Sequence, residues 1–371
     1  GEQVQVVEAR AGTRSTEAYE AFQRALQQVT DAERLLAAGN AQAASAQLWS
    51  ADTAFGRVEN LDKDWVRPVV EHGWVSYRQS RLLGVFDRPA YSKWIEAGLT
   101  HAERAITLAP RDPDALELRG TLRYWRWLLN ILPEGTTREQ ALADAEADLN
   151  AAVDVKPNLA SAWNVLSHLR YGKSQTSAGK LAALRAYEAD PYLVDANRTV
   201  WRLFQGSLDL GDVSEARKWC AEGRRRFSDD FRFSECQLWL LTMRGSEKPT
   251  APEIWAAHDS FLVASPAQQQ DFLKRKAGMI AAIALIRAEL PDSARAVAAR
   301  SRGTPTIDPP RELTYMEAIV LAQLGDTDGA FQRLTTFLAA NPQQRGSAAQ
   351  DESWWFEDIK ADPRWERLLK G

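Results

Sequence analysis

Cysteine is scarce in this chain of 371 residues, with only Cys220 and Cys236. Two are too few for the disulfide framework of a small secreted domain. Both fall in helical patterning, so the expectation is two buried free thiols. A bridge between adjacent helices is the alternative if the chain sits in an oxidising compartment. Histidine is sparse as well. His72, His101, His168 and His258 form no H-E-x-x-H pair and no Cys–His zinc spacing. Structural histidines are expected, with no metal ligands among them. Long hydrophobic runs are missing. The most apolar stretch, residues 277–286, is far shorter than the roughly 20 residues of a membrane span. Direct membrane insertion is therefore not expected. No secretory leader is visible, and the chain opens on Gly1 rather than Met, as a piece of a longer protein would.

Neither sign of charge dominates. The chain has 46 Lys and Arg against 50 Asp and Glu, a net charge of −4. Nucleic-acid binders usually carry a basic domain, so no nucleic-acid partner is expected. Catalytic signatures are absent too. Gly172, Lys173 and Ser174 match the end of a phosphate-binding loop, but Ser167 stands where that loop needs Gly. Residues 163–171 also read as helix rather than as the strand such a loop follows. There is no G-x-S-x-G elbow and no G-x-G-x-x-G loop. The acidic run 143–148 reads as a solvated helix face. No enzyme activity and no cofactor are expected.

Sustained period-two alternation is missing as well, which excludes a substantial sheet. What the chain has instead is a repeat. Pro157 and Pro191 lie 34 residues apart. Each closes a segment with small residues five and twelve positions upstream: Ala152 and Ala145 before Pro157, Ala186 and Gly179 before Pro191. Gly98, Ala102, Ala105 and Pro110 mark another such helix, and Gly39, Ala44, Leu48 and Ala51 another. Near the end, Gly325, Ala330, Leu334, Phe337 and Pro342 repeat it. Gly73, Gly120 and Ser167 supply the small residue of the partner helices. Small residues let two helices cross closely, and large ones fill the gaps between pairs.

This pattern resembles the tetratricopeptide repeat family. The resemblance implies an all-α, right-handed α–α superhelix of about eight helix pairs with a C-terminal capping segment. One solenoid covers residues 1–371. Repeats are clearer over 15–230, irregular over 231–306 and clear again over 307–342. Residues 343–371 form the cap, where Trp354, Trp355, Phe356, Ile359, Trp365, Leu368 and Leu369 suit the covering of a last apolar face. The tail and the lead-in at residues 14–26 are similar to tetratricopeptide regions of bacterial multidomain regulators, such as eukaryotic-like serine/threonine kinases or transcription regulators. No kinase or DNA-binding module is present in this sequence. The compartment stays open between cytoplasm and periplasm, with a membrane-anchored parent as one form.

In such a solenoid the first helix of each pair lines a concave groove. Its exposed positions, spaced to share one helical face, yield a candidate list. Trp74, Tyr77 and Arg78 come from one pair, Glu117 and Tyr124 from the next. Asn164 and His168 follow, then Arg198 and Arg202, then Trp239. Aromatic and Arg side chains dominate binding energy at interfaces. Arg198 and Arg202 lie four apart and could share one carboxylate. The chaperone-tail clamp of the family is not matched, because Asn164 is followed by His168. The cluster at residues 123–127 resembles a stacking platform for single-stranded nucleic acid, but consecutive helical residues point in different directions. The function expected is a non-catalytic scaffold that binds a peptide or partner helix. The alternative is a small-molecule or glycan sensor, with Trp74, Tyr77, Tyr124 and Trp125 stacking on a sugar.

Overall fold

The computed structural model of the chain describes residues 12–83 and 87–370. Among them there is no strand. Helices α1 (Thr16–Ala37) and α2 (Ala41–Leu61) form the first hairpin. Then come α3 (Val66–Leu83) with α4 (Arg88–Leu108), and α5 (Pro113–Leu128) with α6 (Arg138–Val155). Next are α7 (Ala160–Gly172) with α8 (Thr176–Ala189), and α9 (Ala196–Asp209) with α10 (Val213–Arg226). The last three hairpins are α11 (Arg232–Leu240) with α12 (Ala251–Ala264), α13 (Gln270–Arg287) with α14 (Pro291–Arg300), and α15 (Glu312–Gln323) with α16 (Thr327–Ala340). Two short helices, α17 (Arg345–Ala348) and α18 (Pro363–Lys370), belong to the C-terminal segment. The architecture is a tetratricopeptide-like α-solenoid.

Local chemistry sets the helix boundaries. Gly211 and Gly325 end α9 and α15 in the left-handed region (φ 73° and 75°), which a Cβ disfavours. The next residue, Asp212 or Asp326, accepts the backbone N–H of Glu215 or Gly329 and starts the second helix. Asn40, Asp87, Asp112, Thr137 and Thr250 cap α2, α4, α5, α6 and α12 in the same way. Each such cap stabilises its helix by about 1 kcal/mol.

The chain divides into two compact units, residues 1–166 and 167–371. In the first, Phe22, Phe55, Trp65 and Val75 form one core cluster and Val69, Ile95, Leu118 and Leu122 another. In the second, one cluster runs from α8 to the C-terminal segment. Helix α13 lies at its centre. Its residues 277–285 are buried on every face, which explains the apolar run in the sequence. No described helix is long and apolar enough to cross a membrane.

The small residues sit where the helices cross. A Cβ on Gly73 would collide with Leu118 Cδ2 and lie 3.4 Å from the Gly98 carbonyl. On Gly120 it would lie 2.7 Å from Leu149 Cγ and 3.1 Å from the Ala145 carbonyl. Gly120→Ala should therefore lower the melting temperature. Overpacking costs about 1–3 kcal/mol, more than the gain in helix propensity of roughly 1 kcal/mol. A thermal melt by circular dichroism checks this.

The favoured reading of the cysteines needs correction. Cys220 on α10 and Cys236 on α11 are buried as expected, but they form a disulfide, with Cα atoms 5.8 Å apart. Phe233, held against Gly223, brings α11 onto α10 at that distance. Replacing both cysteines with Ala should remove about 3 kcal/mol of stability for a loop of this length. Denaturant titration of the oxidised protein measures it, and the difference should shrink sharply under reductant.

Candidate functional site

In the first unit, α3 and α5 are first helices of consecutive hairpins and lie side by side. Trp74 and Tyr77 meet edge to face at 5.5 Å, and Tyr77 meets Trp125 likewise at 6.3 Å. The Arg81 guanidinium lies 4.9 Å from the Trp125 ring centre and 5.7 Å from that of Tyr77. All three rings are half-buried, so a compact aromatic patch faces solvent with a cation on it. Arg78 pairs with Glu33 of α1. Tyr124 is buried, stacked on Trp127. The aromatic rings of the patch stand nearly perpendicular to one another, so together they form no flat platform for a sugar.

Six polar atoms on this pair of helices are buried without a hydrogen-bond partner. Two of them, Arg126 Nε and Trp127 Nε1, belong to side chains engaged with Glu96 of α4 and Arg138 of α6; the other four are Arg78 Nη1, Glu117 Oε1, Thr121 Oγ1 and Trp125 Nε1. Of these four groups, two are donors, one is an acceptor, and the hydroxyl can be either. Buried polar atoms are nearly always satisfied, so each orphan asks for an explanation. Glu117 is 4% exposed. Burial raises its pKa to about 7, with a hydrogen bond from Ser161 opposing the rise. Asn164 also belongs to this unit and is half-buried on α7.

Three helices of the first unit bring together a cluster that no local spacing could show. His72 on α3 donates through Nδ1 to Glu59 Oε1 (2.7 Å) and through Nε2 to Asp52 Oδ1 (2.9 Å). The rings of His72 and His101 pack at 3.9 Å. Arg104 donates to the other oxygen of Glu59. Burial pushes the His72 pKa down, but the hydrogen bonds and charges of Asp52 and Glu59 outweigh it and raise it to about 9. Burial and the adjacent His72 charge push His101 down to about 4. Glu59, His72 and His101 have ligand atoms within 4.8 Å of one another, the arrangement of a possible cation site. Both nitrogens of His72 and both oxygens of Glu59 already have partners, so two carboxylates and two cations close the network without a metal.

In the second unit, the first helices α9, α11, α13 and α15 lie in sequence. The C-terminal segment folds back across their face. Trp354 N–H and its indole N–H donate to the Asp209 and Leu208 carbonyls. The Trp355 indole donates to Asp209 Oδ1 (2.8 Å), and its ring packs on Trp239 at 5.6 Å. Glu352 accepts the Ser177 N–H, and Arg244 pairs with Asp358. Phe356 packs on Tyr315 and Trp365, so the segment covers the last hairpin as well. Of the expected groove residues, Trp239 thus meets this segment. His168 and Arg198 are exposed, Arg202 is half-buried, and Arg198 pairs with Asp195 at 3.8 Å.

No protein-family model matches the sequence, and no curated protein matches it. Several solved helical-repeat structures are similar in fold. Yeast Tom70 is 12% identical at a TM-score of 0.39, over 88% of this chain and 63% of Tom70. A tetratricopeptide repeat protein from Parabacteroides merdae is 13% identical at 0.41, over 80% of this chain and 99% of that one. The human IFIT1 dimer with m7Gppp-AAAA is 11% identical at 0.42, over 95% and 94%. At these identities and TM-scores, the fold rests on the helix pairing described above.

The His72 network has a pH signature. A group whose folded pKa is raised contributes stability below its unfolded pKa and loses it as pH rises through the folded one. That window runs from the ordinary value of 6.5 to about 9. His72→Gln should destabilise the protein at neutral pH by about 3 kcal/mol, because it leaves Glu59 and Asp52 short of a cation. Its stability should then change less than that of the wild type between pH 6.5 and 9. Urea titrations across that range measure both.

Proposed function

We propose that the protein is a non-catalytic interaction scaffold, and that the α3–α5 face of its first unit holds an extended peptide or a partner helix. The observation that carries this reading is the solvent-facing patch of Trp74, Tyr77 and Trp125 with the Arg81 cation on it, on the same two helices as the orphaned polar atoms. A peptide backbone presents N–H donors and C=O acceptors in alternation. Glu117 Oε1 and Thr121 Oγ1 suit the former, and Arg78 Nη1 and Trp125 Nε1 suit the latter. Trp74, Tyr77 and Trp125 would supply the apolar contact area that dominates binding energy. Asn164 would extend the contact along α7 within the same unit.

The resemblance of both chain ends to regions of bacterial multidomain regulators supports a regulatory part within a larger protein. A buried Cys220–Cys236 bridge favours an oxidising compartment, so we place this part outside the cytoplasm.

Peptides enriched from a displayed library on the intact chain test the reading. Trp74→Ala and Glu117→Ala should each weaken enriched peptides by about 30-fold, the effect of a hot spot of roughly 2 kcal/mol. Trp49→Ala, an exposed aromatic on α2, should leave them unchanged. Equal loss in all three variants, or no loss in the first two, would overturn it.

A further inference from the structure

The second unit carries two adjoining cavities. One, of about 300 Å³, is lined by Asp209, Glu235, Lys276, Glu312, Asp351 and aromatic rings that include Trp239 and Trp355. The other, of about 370 Å³, is walled mainly by apolar side chains, among them Leu334, Phe337, Leu338, Phe356, Trp365 and Leu368. Ser174, Glu312, Tyr315 and Asp351 line both, so the two meet along a shared wall. One chamber is acidic and the other greasy.

Charge decides what the acidic chamber takes. Four carboxylates face one ammonium group. Lys276 Nζ is already shared between Glu235 Oε1 (3.0 Å) and Glu312 Oε1 (3.3 Å). Asp351 lies 3.6 Å from Lys360 and accepts from Ser353. Asp209 accepts the indole N–H of Trp355. Burial raises its pKa to about 6, with that hydrogen bond opposing and the charge of Asp351 adding. A carboxylate held in this way is stabilised by an incoming cation. An anion would meet the excess of negative charge and be repelled.

We propose that the two chambers together bind a small amphipathic primary amine, its ammonium group among Asp209, Glu312 and Asp351 and its hydrocarbon part among Leu334, Phe337 and Leu338. The ammonium group has three donors, which suit several carboxylate oxygens at once. The hydrocarbon gains from leaving water, and the gain grows with each CH₂ buried. Neither chamber alone makes this selection. Asp351 and Phe356 belong to the C-terminal segment, so the ligand would also hold that segment in place. The site lies in the second unit and is independent of the peptide face on α3 and α5.

Isothermal titration of the full chain with octylamine, below its aggregation concentration, is the test. Octanoate keeps the tail and reverses the head, octanol neutralises the head, and ethylamine removes the tail. Octylamine should bind, and each control at least tenfold more weakly. Glu312→Gln and Phe337→Ala, both at incompletely buried positions, should each weaken octylamine at least tenfold with the circular dichroism spectrum unchanged. If Glu312→Gln misfolds, Asp351→Asn takes its place. Octanoate binding as well as octylamine, no binding of the amine, or an affinity that neither carboxylate substitution alters would each overturn the proposal.

Discussion

The closeness of helix crossings is the constraint on which the rest of this structure depends. Gly73 and Gly98 face each other across the α3–α4 hairpin, each with the other's carbonyl 3.3–3.4 Å from where a Cβ would be. The notch so formed is not empty. Leu118 enters it at Gly73 and Leu122 at Gly98, and both stand on α5, one turn apart. The next hairpin is thereby keyed into the previous one. Phe233 of α11 enters the notch at Gly223 of α10 in the same way. That contact also sets the separation at which Cys220 and Cys236 can bond. Small residues thus act twice, shortening the hairpin and receiving its neighbour.

Keying the hairpins this way leaves each first helix with a face that its own second helix does not cover. The side chains there are bound by no repeat rule. In the first unit they are aromatic and polar, and several polar atoms lack partners. In the second unit the equivalent helices carry Asp209, Glu235, Lys276 and Glu312. Buried charges of this kind persist only when paired, and Lys276 supplies that pairing for two of the carboxylates. The polar interior is therefore a consequence of the stacking geometry, specialised differently in each unit.

The repeat was legible because its determinants are local. Pro157 and Pro191, the small residues at 73, 98 and 120, and the Gly–Asp turns at 211–212 and 325–326 all act within one or two hairpins. The aromatic patch at Trp74, Tyr77 and Trp125 was legible in part, since helical spacing places those residues on one face. Tyr124 shows the limit of that method. One position of helical rotation separates it from Trp125, and it is buried where Trp125 is half-exposed. The cluster of Asp52, Glu59, His72, His101 and Arg104 was not legible, because its members come from three helices and no short spacing encodes them. Trp354 and Leu208, 146 residues apart, were further still beyond any periodic argument.

The C-terminal segment bears on what a first-helix face accepts. Its two tryptophans use their indole N–H groups on a carbonyl and a carboxylate of α9, and the Trp355 ring packs on Trp239. Its acidic residues find a backbone N–H and an Arg. Aromatic area combined with polar satisfaction is thus how this chain covers such a face when it supplies the cover itself. The α3–α5 face offers the same currencies, Trp and Tyr surface beside unsatisfied donors and acceptors, and no segment of its own unit satisfies those four atoms. A face built to the same chemistry and left incomplete is what a binding surface requires: the desolvation of its polar groups has already occurred on folding. Those atoms are sealed from water in the unbound chain, so a partner gains their hydrogen bonds once side-chain rotation brings them to the surface, without a second desolvation of groups that folding has already dried.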